Sequence, residues 1–340
     1  MKRDDERAKS ITSVDVAKRA GVSRSAVSRT FTPGASVSSE TREKVLKAAE
    51  DLGYRVNQLA RSLTNKRSDL VGIVAANMDN PFRAEQIEQI TRKLIEQNFR
   101  PILMPAEASE DPSRIIGMLL EYSVSGVIIT SDTPPQSICQ ECVSLGVPIV
   151  LVNKKEIDAP VDRVLMDNVK CGEIALRTLH RKGANRLAII TSEKPSYSLE
   201  VRQKAFINLA ESLDLAQVEI YTGSFQNYNG GAEAMHKLIA SERSFDGLFC
   251  VTDYMALGSL DELRLSSTLS VPDDLQIIGC DDIRQSSWQG YALTTIRQDT
   301  DKLAQAVVQT LLDRFETPAA PATTRLLEVE LIERSTTQKN

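Results

Sequence analysis

The sequence predicts an α/β fold in which a small helical domain precedes a larger core of parallel β-sheets covered by helices. Three observations support this prediction. The first 67 residues are basic and the remainder is acidic, the basic part contains a helix-turn-helix pattern, and short apolar runs alternate with amphipathic stretches from Leu70 onward. A chain of 340 residues is too long for one ordinary core, so two or three separately folded units are expected.

The two parts of the chain differ strongly in charge. Residues 1–67 carry 15 Lys and Arg against 8 Asp and Glu, which gives +7, whereas the remaining residues carry 26 against 38, which gives −12. This asymmetry indicates that the N-terminal part, rather than the whole molecule, binds a polyanion. Charge alone leaves open the alternative of a solvated basic arm, so the order of residues inside this part decides between the two.

Residues 12–53 predict three short helices. Thr12 and Asp15 form a capping box at the start of the first helix, and Gly21 ends it in a left-handed conformation. A second helix over 24–30 follows after a tight turn, and a third runs through 38–53, so the first two form a helix-turn-helix. The apolar positions expected to form their shared core are Val14, Val16, Ala17, Ala20, Ala26, Val27, Val45, Leu46, Ala49 and Leu52.

The second helix leaves polar side chains off its apolar positions. In the major groove, arginine donates two hydrogen bonds to guanine and serine reaches several base edges. Lysine and arginine elsewhere in the domain neutralise phosphates, which positions a protein on DNA without reading sequence. The expected base-reading residues are Arg24, Ser25, Ser28 and Arg29, and the expected phosphate contacts are Lys18, Arg19 and Arg42.

The segments VDVAKRAGVSRSAVSRTF and VSSETREKVLKAAEDLGYRVNQLARSLTNKRSDLVGIV resemble the headpiece and hinge of the LacI/GalR family of bacterial repressors. The resemblance implies that residues 57–64 form a hinge helix, which folds when two subunits bind DNA. It also implies that Leu63 wedges into the minor groove, with Asn57 and Ala60 beside it at the DNA. Val56 stands where the family usually has proline, which removes stiffness from the hinge.

From Leu70 onward, the alternation of apolar runs and amphipathic stretches is the pattern of βαβ units. The resemblance implies that these units form a two-lobed, periplasmic-binding-protein-like core that binds a small-molecule effector, with the chain crossing between the lobes three times. The expected domains are a headpiece (1–55), a hinge helix and linker (56–68) and an effector-binding core (69–335). Within the core we expect an N-lobe of about 69–168 and 298–324, and a C-lobe of about 169–297 and 325–335. The apolar runs are 70–76, 100–106, 126–130, 148–153, 186–191, 218–223, 247–252 and 275–280.

Ligands of such folds bind beyond the carboxyl ends of the strands. By family position and strand-end placement, the expected effector-binding residues are Phe82, Arg83, Asn153, Arg202, Phe225, Asp253 and Asp281. Carboxylates and a guanidinium suit vicinal hydroxyls and a ring suits an apolar face, so a sugar is expected. If Arg83, Asn153 and the neighbouring Lys154 face the cleft, an acidic or phosphorylated sugar fits. The alternatives are that Asp253 only caps a helix and that the two phenylalanines are core.

Other classes of protein fit the sequence less well. The enzyme motifs GxGxxG, GxxxxGK[ST], HExxH and GxSxG do not occur. A transport-type solute-binding protein would need a signal peptide and no headpiece. The pair Cys139 and Cys142 has no second CxxC and only two histidines to complete a zinc site, so neither metal nor cofactor is expected. We therefore expect a cytoplasmic, non-enzymatic homodimer that binds a palindromic double-stranded DNA operator and no membrane.

Overall fold

In a computed structural model, the parts of the chain that are described are 11–32, 34–55, 68–106, 112–130, 136–215 and 217–338. The chain divides into two units, residues 1–68 and 69–340. The hinge positions Val56, Asn57, Ala60 and Leu63 lie outside the described residues, so their roles stay predictions.

The first unit contains the three helices that the sequence predicts. They are α1 (Ser13–Ala20), α2 (Arg24–Thr30) and α3 (Ser39–Leu52). The capping box is present, because the Thr12 hydroxyl accepts a hydrogen bond from the Asp15 amide while the Asp15 carboxylate accepts from the Thr12 amide. Gly21 ends α1 at φ 66°, a left-handed conformation that glycine adopts without steric cost. These local signals fix both the length and the turn of the helix-turn-helix.

The core of this unit is smaller than predicted. Its buried members are Val16, Ala17, Val27, Val45, Ala48 and Ala49. The prediction was wrong for Val14 and Leu46, which are exposed, and it missed Ala48. Val14 and Leu46 each lie roughly 100° around their helix from the centre of the buried face, at 100° per residue, so they sit outside the stripe that the neighbouring helices cover.

The second unit contains two sheets, each covered by helices. The elements of the N-lobe are β1 (Leu70–Ala75), α4 (Pro81–Glu96), β2 (Arg100–Pro105), α5 (Pro112–Glu121), β3 (Gly126–Ile129), α6 (Gln136–Ser144), β4 (Ile149–Val152), β5 (Asp162–Met166), α11 (Thr300–Glu316) and β11 (Thr324–Leu327). The strand order of its sheet is β11-β5-β4-β3-β1-β2, and every described pair is parallel.

The C-lobe repeats this arrangement. Its elements are α7 (Asn168–Arg181), β6 (Leu187–Ser192), α8 (Tyr197–Ser212), β7 (Glu219–Gly223), α9 (Tyr228–Ala240), β8 (Gly247–Cys250), α10 (Asp253–Ser266), β9 (Gln276–Asp281), β10 (Thr294–Arg297) and β12 (Glu330–Ile332). The order is β12-β10-β9-β8-β6-β7, with β12 antiparallel to β10 and the other described pairs parallel. Each of the eight predicted apolar runs overlaps one strand of these two sheets, and β6 and β9 each extend one residue beyond their run, so the predicted α/β class is confirmed.

The chain passes between the lobes at three places. The first follows β5, and the second lies between β10 and α11, whose Leu303, Val307 and Leu311 pack in the N-lobe core. The third lies between β11 and β12. The predicted N-lobe limit at residue 324 is therefore too early, because Leu327 still pairs with Met166 in the N-lobe sheet. β11 and β12 are short, and their sequences do not indicate where the chain leaves the N-lobe sheet and enters the C-lobe sheet.

The cysteine pair lies in the N-lobe core. Cys139 and Cys142 are fully buried on α6, and burial raises the pKa of the Cys139 thiol to about 12 and that of Cys142 to about 11. The described residues contain no group of three His, Cys, Asp or Glu side chains arranged for a metal ion. Over the same ranges, no helix combines the length and the apolarity that a membrane span requires.

Candidate functional site

The first candidate site is the outer face of α2. Arg24, Ser25, Ser28 and Arg29 are all exposed, and so is Lys18 on α1. The Ser25 hydroxyl lies 2.9 Å from that of Ser23, the N-cap of α2. The structure thus leaves every predicted base-reading side chain accessible to a partner.

The opposite face and the end of α2 are fixed to the rest of the domain. Val27 is buried, and the Arg42 guanidinium donates a hydrogen bond of 2.9 Å to the carbonyl of Thr30, the last residue of α2. A cation at a helix C-terminus satisfies an unpaired carbonyl and interacts favourably with the helix dipole. Arg42, which was predicted as a phosphate contact, is half-buried, and its hydrogen bond stabilises the end of α2. Arg19, predicted alongside it, forms an exposed ion pair with Asp51 at 3.3 Å.

The second candidate site is a cleft between the two lobes, with an empty volume of about 550 Å³ that includes solvent at its mouth. The predicted residues that line it are Phe82, Arg83, Asn153, Arg202 and Asp281. The lobes meet at this cleft, because the Ser198 hydroxyl at the start of α8 donates to the carbonyl of Asn153 at the end of β4 (3.3 Å). Phe82, from the N-lobe, packs against the C-lobe core.

Arg202 and Asp281 form the buried polar centre of the cleft. The Arg202 guanidinium donates from Nε to Asn168 (2.9 Å) and from Nη1 to both the carbonyl of Val251 (2.7 Å) and the carboxylate of Asp281 (3.2 Å). Within the described part of the chain, Nη2 makes no hydrogen bond, so it is the donor left for a ligand. Gln298 donates to the same Asp281 oxygen. These contacts fix the guanidinium before any ligand arrives.

Asp281 is held in an unfavourable state. Its φ is 138°, a conformation that costs a side chain-bearing residue about 1–3 kcal/mol. Burial raises its pKa to about 6, although the positive charge of Arg202 lowers it. Strained backbone and perturbed carboxylates concentrate at binding sites, because the surrounding structure must hold them in place for a function.

Two family descriptions match separate parts of the chain. Residues 12–57 match "Bacterial regulatory proteins, lacI family", and residues 176–337 match "Periplasmic binding protein-like domain". The chain therefore carries a LacI-family DNA-binding domain and a periplasmic-binding-protein-like domain. Its fold is that of a LacI-like protein, with an N-terminal DNA-binding domain followed by a two-lobed core.

Individual members of the LacI family are similar over most of the chain. The ribose operon repressor of Escherichia coli (strain K12) is 29% identical over 329 residues, which cover 95% of this chain and 98% of that repressor. The lac repressor dimer bound to operator and the anti-inducer ONPF superposes with a TM-score of 0.87 at 25% identity, over 97% of this chain and 100% of that one. A LacI family transcriptional regulator from Enterococcus faecium with bound ribose gives 0.72 at 25% identity, over 78% and 98%.

Two of the predicted effector residues do not line the cleft. Asp253 is fully buried at the start of α10, where its carboxylate accepts hydrogen bonds from the hydroxyls of Thr295 and Ser286 and from the amide of Ile283. Its oxygens thus connect three segments of the C-lobe, whereas the residue that caps α10 is Thr252, so Asp253 does not serve as the helix cap that was considered as its alternative role. Phe225 is 67% exposed, and its neighbour Gln226 lines the cleft instead.

The cleft also contains lining residues that were not predicted. They are Gln86, Thr130, Val152, Ser196, Ser198, Leu199, Gln226 and Thr252. Thr130 and Thr252 end two of the apolar runs identified in the sequence, so the rule that ligands bind beyond strand ends was sufficient to find them. Ser196 and Ser198 lie in the loop and first turn after β6, where serine equally indicates a helix cap. Their placement required the structure.

The paired acids Asp253 and Asp281 predict a pH dependence of core stability. Burial and the nearby charge of Asp281 raise the pKa of Asp253 to about 7, and that of Asp281 is about 6. In the unfolded chain both lose their protons near pH 4. Between pH 4 and these folded-state pKa values, the folded core therefore binds more protons than the unfolded chain does. Its free energy of unfolding should consequently fall by on the order of 2 kcal/mol from roughly pH 5.5 to pH 8.

The measurement is urea denaturation followed by the fluorescence of Trp288, the sequence's one tryptophan, which lies in the C-lobe. Asp253→Asn should flatten the dependence, because it removes the group with the higher pKa. A free energy of unfolding that rises over this interval contradicts the assignment, since it would place the proton uptake in the unfolded state.

Proposed function

We propose that this chain is a cytoplasmic transcriptional repressor that binds a palindromic operator as a homodimer and that a carbohydrate effector in the interlobe cleft changes its operator affinity. One observation supports this most strongly. The exposed face of α2, with Arg24, Ser25, Ser28 and Arg29, occurs on the same chain as a cleft with a buried Arg202–Asp281 pair. A chain that has both a DNA-binding surface and a small-molecule site can act as a ligand-responsive regulator. The proposal gives the cleft a binding role and no catalytic one.

The DNA side of the proposal follows from the geometry of helix-turn-helix domains. One headpiece reads one half-site, so a palindrome requires two subunits with half-sites about one helical turn apart. Such domains contact base edges with the N-terminal residues of this helix, which supports base contacts for Arg24 and Ser25 at the start of α2. The lac repressor neighbour is described as a dimer bound to operator, which supports the same assembly for this chain. We also assign the predicted hinge contacts of Asn57, Ala60 and Leu63 to the minor groove.

The effector side follows from the cleft chemistry. Its donors and acceptors suit the paired hydroxyls of a sugar, and the ring of Phe82 offers an apolar surface beside them. The names of the relatives agree with this, since one is a ribose operon repressor and another was solved with bound ribose. Arg202, Asp281, Arg83 and Asn153 are the residues we assign to the effector.

The Arg202–Asp281 pair is connected to two of the three passages between the lobes. Asn168, which accepts from Arg202, donates in turn to the carbonyl of Met166 (3.0 Å) at the end of β5. Gln298, which donates to Asp281, begins the passage from β10 to α11. A ligand that moves this pair thereby biases the lobe arrangement. A coupling of about 1–3 kcal/mol would change operator affinity roughly 5–150-fold.

Fluorescence anisotropy on labelled DNA from upstream of the chain's own gene tests the proposal. We expect specific binding at least about 10³-fold tighter than binding to random DNA, and a several-fold change on addition of one compound from a panel of sugars and sugar derivatives. A chain that binds every fragment equally at all salt concentrations would contradict the repressor function. Specific DNA binding that no compound in the panel changes would support the DNA-binding role and contradict the carbohydrate effector.

Arg24→Ala should relax sequence preference at one base position. The expected cost is about 1–3 kcal/mol at that base pair, because an arginine that reads guanine is lost. Anisotropy against operators that each carry a single changed base pair measures this. Lys44→Ala, which removes an exposed charge on α3, is the matched control and should leave the preferences unchanged. Uniform weakening on all sequences would identify Arg24 as a phosphate contact instead.

A further inference from the structure

Gln298 holds Asp281 from outside the cleft. It is 2% exposed and is not one of the described residues that line the cleft. Its side-chain nitrogen donates to Oδ1 of Asp281, the oxygen that also accepts from Arg202, and its backbone amide donates to the Asp281 carbonyl (3.4 Å). An ionised carboxylate only accepts hydrogen bonds, so the side-chain amide is oriented with its nitrogen toward Asp281. Gln298 therefore contacts the buried pair without contacting the space that an effector occupies.

This orientation leaves the other end of the Gln298 amide unsatisfied. Its Oε1 is buried, and no hydrogen-bond donor reaches it within the described ranges of the chain. A buried acceptor without a donor destabilises the arrangement that contains it, so a movement that supplies a donor is favoured.

Asn168, which connects Arg202 to the passage after β5, differs from Gln298 in this respect. Its Oδ1 accepts from Arg202 (2.9 Å) and its Nδ2 donates to the carbonyl of Met166 (3.0 Å), so both ends of the amide are satisfied. Moving Asn168 breaks hydrogen bonds at both ends, whereas moving Gln298 puts only one end of its amide at risk. The passage that begins at Gln298 is therefore the easier of the two to displace.

The residues that follow Gln298 are attached to the N-lobe. In the first turn of α11, the Thr300 hydroxyl donates to the carboxylate of Glu85 (2.8 Å), and Asp301 forms an ion pair with Lys93 (3.0 Å). Both partners lie on α4. A displacement of Gln298 thus reaches α4 within three residues of chain.

We propose that Gln298 is the positioning residue through which the Arg202–Asp281 pair controls the arrangement of the lobes. When an effector displaces Asp281, the side chain of Gln298 moves with it, and the passage from β10 to α11 conveys this movement to α4. The passage after β5 keeps its position, because Asn168 is held at both ends. This inference rests on the proposed function, in that it assigns the coupling between the cleft and the operator to one residue of that regulator.

Hydrogen–deuterium exchange of the full chain tests this coupling without DNA and without an effector. Arg202→Lys perturbs the pair, because lysine keeps the charge but cannot reproduce the three hydrogen bonds of the guanidinium. In the wild-type background, this substitution should speed amide exchange at the start of α11, over residues 300–306, by at least about threefold. In the Gln298→Met background, the same substitution should change this exchange by less than about 1.5-fold, since the connection is already lost.

Gln276→Met is the matched control. Gln276 is also a buried glutamine whose Nε2 donates to one carbonyl, that of Lys182 (3.2 Å), and whose Oε1 has no partner among the described residues. It lies at the opposite end of β9, roughly 16 Å from Asp281 along the strand. The effect of Arg202→Lys on α11 should therefore persist in this background. Gln298→Glu, which also removes the donor to Asp281, is the second variant in case Gln298→Met fails to fold.

Three outcomes would overturn the proposal. Arg202→Lys could leave exchange at the start of α11 unchanged in the wild-type background, or its effect could be lost in Gln276→Met as well. Its effect could also persist in full in the Gln298 variants, which would identify Gln298 as a structural residue, because independent substitutions add. A chain that binds no operator would contradict the repressor function alone, whereas these exchange rates decide the coupling by themselves.

Discussion

Asp162→Ala is expected to destabilise the effector core by about 3–5 kcal/mol, since it leaves a buried guanidinium without its counter-ion. The Arg314 guanidinium donates from Nε (2.9 Å) and Nη2 (2.8 Å) to the two carboxylate oxygens of Asp162. The amide and hydroxyl of Thr323 donate to the same carboxylate. Burial acts to raise the pKa of Asp162, but these hydrogen bonds hold it below its ordinary value. The pair fixes the loop that leads from α11 into β11.

Urea denaturation followed by Trp288 fluorescence measures this loss. The control is Glu88→Ala, which breaks the exposed ion pair of Glu88 with Arg92 on α4 and should cost no more than about 0.5 kcal/mol. The double variant Asp162→Ala/Arg314→Met removes both charges and should recover much of the loss. A single variant that costs less than about 1 kcal/mol, or a double variant worse than the sum of its parts, would contradict a buried ion pair.

The same residue explains why β5 escaped prediction. Its sequence, DRVLM, begins with two charged residues, and a search for continuous apolar runs passes over it. The strand is buried on one face only, at Asp162, Val164 and Met166, so its burial alternates, whereas its neighbour β4 is apolar and buried throughout. Asp162 tolerates burial because Arg314 lies opposite it, 152 residues further along the chain. No local pattern contains that information.

In the headpiece, local chemistry was sufficient for the helices and insufficient for the core. The Thr12 capping box and the left-handed Gly21 depend on neighbouring residues, so the sequence predicted them correctly. Burial depends on where the other helices lie, and in α1, a helix of eight residues, Val14 and Val16 were indistinguishable as core candidates. Sequence periodicity shows which side of a helix is buried, but it does not show whether residues at the border of that side are buried or exposed.

In the cleft, strand ends predicted the region, and the family resemblance predicted Arg202 and Asp281. Neither the strand-end rule nor the family resemblance shows which polar residue at a strand end turns toward the ligand. Thr252 lines the cleft while it caps α10, and Asp253, the next residue, turns into the C-lobe core. Adjacent polar residues at a strand end look equivalent in sequence. Their hydrogen-bond partners, Thr295 and Ser286 in the case of Asp253, come from distant segments.

Arg202→Ala is expected to have the largest effect on regulation. It removes the donor that remains for the ligand and leaves the buried Asp281 without its cation. A hydrogen bond from a charged group contributes about 1.5–3 kcal/mol, so losing one or two should weaken effector binding by roughly 10²-fold or more. Without Arg202, the pKa of Asp281 should rise further above its ordinary value, because the charge that lowers it is gone.

The test is a titration of the operator complex with whichever compound the anisotropy panel identifies. For Arg202→Ala we expect the effector concentration at half response to rise by the same 10²-fold or more while the free protein still binds the operator specifically. Arg177→Ala, an exposed arginine on α7, is the matched control and should respond like the wild-type chain. Arg202→Lys keeps the charge but cannot donate to Asn168, Val251 and Asp281 together, so an intermediate response is expected. If Arg202→Ala responded at wild-type concentrations, the effector would bind elsewhere and the buried pair would serve only to hold β8 and β9 in place.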